Sequence, residues 1–399
     1  MSLPRRHTTR RRRRSEATPD HHPTSEASSP SHHSSSSTNR PTAADASNGS
    51  SAADATNGSS AADASNRADT VLLNEQFGDA SGHRATEHRG YPQRRFHLWC
   101  TYEEGFLVKP WPYPAHTLIQ PVIMRLVFHD CVGGCDGCID LSKGEHSGLR
   151  FGMTALQNAC PGLSRADCWA LAAVTTAQEL NDAGVRFDLK HAGRRDCEGG
   201  NDIGDGPDTV DMPSAMLSTG NLLRFFASEF GFNAQETVAL MGAHTLGSLA
   251  NGRSGFDGVW VPQLRVLDNQ YYRFLTDGSG GATTDYDQTN AGNTNGLFLW
   301  KRRDNIFQGR RPLVMLNVDM ALVRDLSDHI VNQRTGEVSC VLDGQTDVCD
   351  VATDTLAHVV AYSNDNQLWL EDFRDVLNKM LANGYDTSRC TSGSLCVLP

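Results

Sequence analysis

An arginine and a histidine, Arg125 and His129, stand four residues apart in the otherwise apolar run Met124-Arg-Leu-Val-Phe-His-Asp-Cys131. Four residues is little more than one helical turn, so both side chains project from one face, with Phe128 beside them. A cation and an imidazole on a buried face are costly unless something polar or anionic meets them. The run therefore demands one of two things: a structural ion pair with a hydrogen-bonded core histidine, or a cavity that both residues face.

Helical spacing of apolar residues recurs around 119–129, 149–158, 166–181, 214–230, 233–241, 312–332 and 366–383, joined by links rich in Gly, Asp and Asn. Strand-like alternation is scarce. The expectation is a mainly α body over residues 91–399, a size that suits two helical lobes around a buried cofactor. Residues 1–90 read differently: Ser, Ala, Thr, Asn and Asp dominate, Arg10 to Arg14 form a basic run, and Asn48, Asn57 and Asn66 mark a repeated unit. Such a tail cannot bury enough apolar surface to offset its chain entropy and is expected to be disordered.

Of the 36 Lys and Arg and 47 Asp and Glu, 11 and 10 fall in that tail, so the remainder carries a formal net charge of −12. An acidic body argues against a nucleic-acid enzyme. No apolar run approaches the roughly 20 residues that span a bilayer, so no membrane partner is expected. The first thirty residues carry arginines where a secretory signal would carry its apolar stretch. Against that, eleven cysteines, with Cys340/Cys349 and Cys390/Cys396 closely spaced, suggest local disulfides and an oxidising compartment. The expectation is an extracellular or secretory protein, with a cytoplasmic enzyme as the alternative.

Two further segments carry candidate chemistry. His244 lies among small residues in Gly242-Ala-His-Thr-Leu-Gly247. Small neighbours let a flat, bulky group approach, and neutral imidazole is a good iron ligand, although helix termination explains the glycine as well. Asp319 is an isolated carboxylate in an apolar run, placed either to cap a helix or to hold a metal-bound imidazole from behind.

Together these segments resemble the plant-type haem peroxidase superfamily over about residues 95–385. The resemblance rests on Arg125 to Cys131, Ala159-Cys-Pro-Gly followed by Ala166-Asp167, Gly193-Arg-Arg-Asp196, Gly242 to Gly247, Arg253-Ser-Gly-Phe256 with Trp260, and Asp268-Asn-Gln-Tyr-Tyr272. It implies a two-lobed, mainly helical fold with haem b between the lobes. It also implies an enzyme that reduces hydrogen peroxide to water through a ferryl intermediate while oxidising a small donor, phenolic or ascorbate. By the same resemblance His244 is the proximal iron ligand and Asp319 its hydrogen-bond partner. His129 is the distal acid/base, Arg125 the stabiliser of the leaving oxygen, Phe128 the distal aromatic and Trp260 the proximal aromatic, available to carry a radical. Arg253 matches an arginine that meets anionic donors at the haem edge, but its partner lysine is replaced by Thr117, which favours phenols over ascorbate.

The resemblance also implies calcium, held distally by Asp130, the carbonyl of Gly134 and Asp136, and a possible proximal cation at Thr245, Gln263, Val266 and Asp268. It implies a Cys131 to Cys135 disulfide. Departures accompany it: Cys138 replaces a serine ligand, Val261 a threonine, and His146 the asparagine that accepts the distal histidine's hydrogen bond. Two rivals remain. A haem binder of the same fold that does not turn over is suggested by His146. The spacing Cys131-x3-Cys135-x2-Cys138 is that of a radical S-adenosylmethionine cluster site.

Overall fold

Ten α-helices are found among the described residues. They are α1 (Ile119–Cys131), α2 (Arg150–Leu156), α3 (Arg165–Leu180), α4 (Thr219–Phe230), α5 (Ala234–Met241), α6 (Asn251–Ser254), α7 (Gln270–Leu275), α8 (Asn317–Met320), α9 (Leu356–Asn364) and α10 (Asn366–Met380). This is a computed structural model describing residues 119–398 apart from 182, 208–209, 293–294, 305–310 and 391–394. The expected tail over 1–90, Cys100 and Thr117 lie outside the described residues.

Local signals set several helix starts. Ser164 accepts a hydrogen bond from the Asp167 amide at the head of α3. Asn233 and Glu236 form a reciprocal capping box on α5, and Asp365 accepts from the Leu368 amide to start α10. Helix α1 packs on α3, α5 on α10, and α7 on α9, burying Ile123, Leu126, Trp169, Val238, Trp369 and Phe373 in one core. The Asp167–Arg194 pair, 2.9 Å apart with both side chains wholly buried, ties α3 through Arg194 to the end of α10. Arg194 also donates to the Leu381 carbonyl at 2.6 and 2.8 Å. Removing one partner of such a pair costs about 3 to 5 kcal/mol because the other charge is left buried.

The helix expected over 312–332 does not form. Leu313 to Arg324 are all buried, so the run has no polar face from which a helical period could be read. The chain there is instead a strand (Val314–Met315), the single turn α8, and short strands at Arg324–Asp325 and Ile330–Asn332. Val314–Met315 is the third strand of an antiparallel sheet with Tyr286–Asn290 and Phe298–Arg302, none of which the sequence pattern announced. The run at 214–230 is helical only from Thr219, because Ala215 accepts the Val318 amide and Thr219 caps the carbonyls of Ala321 and Arg324.

Among the described residues five disulfides close, the expected Cys131–Cys135, Cys340–Cys349 and Cys390–Cys396 together with Cys138–Cys197 and Cys160–Cys168. No described helix is long and apolar enough to cross a membrane.

Candidate active site

Asp319 is the centre of the proximal arrangement. The strand at Val314–Met315 delivers it: the Val259 amide bonds to Pro312 and the Val314 amide back to Val259, which sets the next residue, Trp260, beside the turn that carries Asp319. Trp300 and Gly336 hold that turn through Asn317. The wholly buried carboxylate accepts four hydrogen bonds. His244 Nδ1 at 2.6 Å and the Tyr271 hydroxyl at 2.8 Å reach Oδ1; Trp260 Nε1 at 2.8 Å and the Leu316 amide at 2.6 Å reach Oδ2. Both sequence alternatives for Asp319 are therefore realised at once, a bond to the first turn of a helix and a hold on the imidazole.

An ionised carboxylate only accepts, so His244 carries its proton on Nδ1 and presents a lone pair on Nε2. The His244 side chain is 30% exposed although its partner Asp319 is 0% exposed. Its outer edge thus opens into space while its inner edge is clamped. Trp260 stacks on it, with ring centroids 4.3 Å apart and planes 18° from parallel. This donor set fits a haem iron: one neutral imidazole, oriented from behind by a carboxylate, with one free nitrogen. Gly242 has a different reason from the one its neighbourhood suggested. A Cβ there would collide with the Tyr272 hydroxyl and the Trp369 indole, so its smallness serves packing behind the site.

Helix α1 carries the distal group. Arg125 donates to the carbonyls of Ser147 at 3.0 Å and Glu145 at 2.5 Å, so the guanidinium is positioned by backbone. Burial, then the nearby Arg253, pulls its pKa down to about 10. His129 is buried, and its Nδ1 has no hydrogen-bond partner among the described residues. Burial first, then Arg125 and His146, hold it well below the ordinary 6.5, so it is neutral at pH 7. The His146 ring lies 5.1 Å away, and its own Nδ1 is 3.0 Å from the Asp140 carbonyl, an acceptor only. Phe128 is half-buried against Phe226 and Phe230. Exposed Arg253 reaches the same neighbourhood: a Cβ on Gly148 would lie 2.8 Å from its Cδ.

The residues expected at the distal cation come together. Asp130 Oδ1 accepts from the Gly137 and Cys138 amides at 2.6 and 3.1 Å, and Asp136 Oδ1 from the Cys138 amide at 3.1 Å. Burial, then Asp136, pushes the Asp130 carboxyl well up, a cost that a cation between the carboxylates would relieve. The Gly134 carbonyl accepts the Asp136 amide at 2.8 Å. Asp136, Cys138 and Cys197 are close enough to share a metal, but the two sulfurs are joined to each other and are not thiolates. The same bonding overturns the cluster rival, since Cys131, Cys135 and Cys138 are all in disulfides. On the proximal side Asp268 accepts from Thr245 at 3.1 Å and from the Gln270 amide and side chain at 3.0 and 2.7 Å. Gln263 and Val266 bond to each other across a turn. Asp268 thus gathers Thr245 and Gln270 around its carboxylate, while Gln263 and Val266 lie in a neighbouring turn.

Tyr271 is the functional residue that sequence reasoning passed over. Nothing in its local sequence gives it a role, and only its contact with Asp319, 48 residues away, reveals one.

Residues 108–334 match the family model described as Peroxidase. A protein of Yarrowia lipolytica whose name describes a heme-binding peroxidase is 31% identical over 177 residues, covering 39% of this chain and 56% of the relative. The mitochondrial cytochrome c peroxidase of Neurospora crassa is 27% identical over 284 residues, covering 66% of this chain and 64% of the relative. That of Cryptococcus neoformans var. grubii is 31% identical over 229 residues, covering 52% and 54%. The chain spans less than two thirds of the length of each of these relatives.

Proposed function

The chain belongs to the peroxidase family, and we propose that it is a haem-dependent enzyme that reduces hydrogen peroxide to water at the expense of a small electron donor. The observation that carries the reading is the Asp319 carboxylate bonded to His244 Nδ1 at 2.6 Å and to Trp260 Nε1 at 2.8 Å. His244 Nε2 would hold the iron of haem b, lying between two lobes. The haem, when bound, supplies the iron at which the peroxide O–O bond breaks and the electrons that are later replaced by the donor.

This chain's own groups manage the protons and charge. His129, neutral because of its burial, would accept a proton from one peroxide oxygen and return it to the other, which leaves as water. Arg125, pinned by Glu145 and Ser147, directs its positive charge at the leaving oxygen without having to reorganise. Asp319 keeps the proton of His244 on Nδ1 and makes the imidazole a stronger donor. Phe128 closes the distal side with apolar surface. Asp130 and Asp136, with the Gly134 carbonyl, would hold calcium directly beyond His129 and brace the end of α1.

The donor we propose is a small phenol. Arg253 alone offers one cationic contact for an anionic donor such as ascorbate, a contact of about 1 to 3 kcal/mol. A redox protein is the second reading, favoured by Trp260 stacked on His244. The five disulfides support an oxidising, extracellular or secretory compartment; alkylation of all eleven thiols in native protein would overturn that. The central test is stopped-flow spectroscopy of the haem-loaded protein with peroxide, followed by reduction with guaiacol, ascorbate or ferrocytochrome c. Fast reaction with peroxide and fastest reduction by guaiacol are expected. Haem binding without reaction would establish the inert binder instead, and ascorbate or ferrocytochrome c outpacing guaiacol would overturn the donor.

A further inference from the structure

Behind the proximal histidine a series of aromatic rings runs away from the site toward α9 and α10. Trp260 and Tyr271 share the Asp319 carboxylate. The Tyr271 ring lies 5.2 Å from Tyr272, and Tyr272 lies 5.3 Å from Tyr362 and 5.6 Å from Trp369, centroid to centroid. All of these side chains are buried. Packing alone would account for the rings, but their polar tips differ in a way that packing does not require.

The Tyr272 hydroxyl donates to the Val238 carbonyl at 2.7 Å, and Trp369 Nε1 to the Ala239 carbonyl at 3.0 Å. A backbone carbonyl is a very weak base and cannot take the proton that an oxidised phenol must lose. Tyr362 is placed differently: its hydroxyl donates to Asp372 Oδ2 at 2.7 Å. That carboxylate is half-buried and also accepts from the exposed Gln235 at 2.8 Å, so it stands between the phenol and solvent. Tyr271 faces a carboxylate too, but Asp319 is wholly buried and already holds three other donors, with no route to water.

We propose that Tyr362 is a redox-active residue at which an oxidising equivalent from the haem comes to rest and leaves the protein beside Asp372. The proposal rests on the peroxidase reading, which supplies the oxidant. One electron passes from Tyr362 through Tyr272 and Tyr271 to the peroxide-oxidised centre, which is reduced by one equivalent. The phenolic proton moves along its existing hydrogen bond to Asp372, leaving a neutral phenoxyl radical and a protonated carboxyl. A phenolic one-electron donor at that surface then restores the electron, Asp372 returns the proton, and the oxidised donor releases its own proton to water.

The test is to freeze the haem-loaded enzyme after one equivalent of peroxide without donor, and to record its electron paramagnetic resonance beside its peroxide consumption. The parent is expected to show a tyrosyl signal. Tyr362→Phe should lose most of it while consuming peroxide at the parental rate and melting at the parental temperature. Asp372→Asn keeps the acceptor oxygen but removes the base, and should also lose most of the signal. An undiminished signal in either variant, or no tyrosyl signal in a parent that consumes peroxide, overturns the relay alone. A parent that binds haem but consumes no peroxide overturns the peroxidase reading and the relay with it.

Discussion

The two histidines of the site are treated in opposite ways. His244 is clamped: its Nδ1 is bonded at 2.6 Å to a carboxylate that three other groups also hold, and an indole lies flat against the ring. His129 is the more deeply buried of the two, yet its Nδ1 finds no hydrogen bond among the described residues, and its surroundings are cationic or aromatic. A metal ligand has to keep one orientation and one tautomer through every step, which redundant bonds enforce. An acid/base has to change protonation state, and a fixed ion pair would hold it in one form.

Breaking the clamp gives the largest effect. His244→Ala should strip or loosen the haem, because no second strong axial donor is proposed; full haem retention with an unchanged absorption spectrum would remove His244 as the ligand. On the distal side, His129→Leu should leave haem bound while slowing reaction with peroxide by at least the ~100-fold that loss of a general acid/base costs. A parental rate in stopped flow would move the proton transfer to another group. Asp319→Asn comes next. It keeps the shape but cannot accept from all four donors as an anion, and should lower haem affinity or activity by about 10- to 100-fold, measured by haem titration. Equal behaviour to the parent would mean that Trp260 and packing hold His244 unaided.

Calcium chelation should act on the distal side only, lowering thermal stability and slowing the peroxide step while leaving the His244 ligation spectrum unchanged; metal analysis finding no calcium after gentle purification would remove the site. The smallest effect concerns pH. Because burial, Arg125 and His146 hold His129 well below 6.5, its neutral form persists as pH falls through 6.5. The peroxide rate should decline only when pH drops through the lowered value. A rate that halves near pH 6.5 would show the histidine to be far better solvated than its burial implies.

Helix α1 was legible because four-residue spacing acts locally: the backbone that makes the turn also brings Arg125 and His129 to one face. Helices α3, α5 and α10 lie where the periodicity put them, and the structure adds local caps at Ser164, Asn233 and Asp365. Reading failed over 312–332 for the converse reason. There the core surrounds the chain on every side, so apolar content carries no direction, and strand pairing with Phe298–Arg302 decides the conformation. The resemblance identified Cys131–Cys135, but nothing local announces Cys138–Cys197, closed across a sequence separation of 59.

By itself the sequence determined a helical, acidic body with the motifs of the peroxidase family, and it named both histidines and the carboxylate, since these depend on residue type and near-neighbour spacing. Only the tertiary structure decided how that carboxylate is saturated, that Tyr271 is one of its donors, that Arg253 stands beside Arg125, and that Tyr362 alone in its series of rings meets a carboxylate with a way to solvent. Most of these contacts join residues tens of positions apart, and Tyr362 and Asp372, ten apart, meet only because α9 packs against α10. Such contacts are set by which strand pairs with which and which helix packs on which, and a one-dimensional pattern of residue types does not contain that choice.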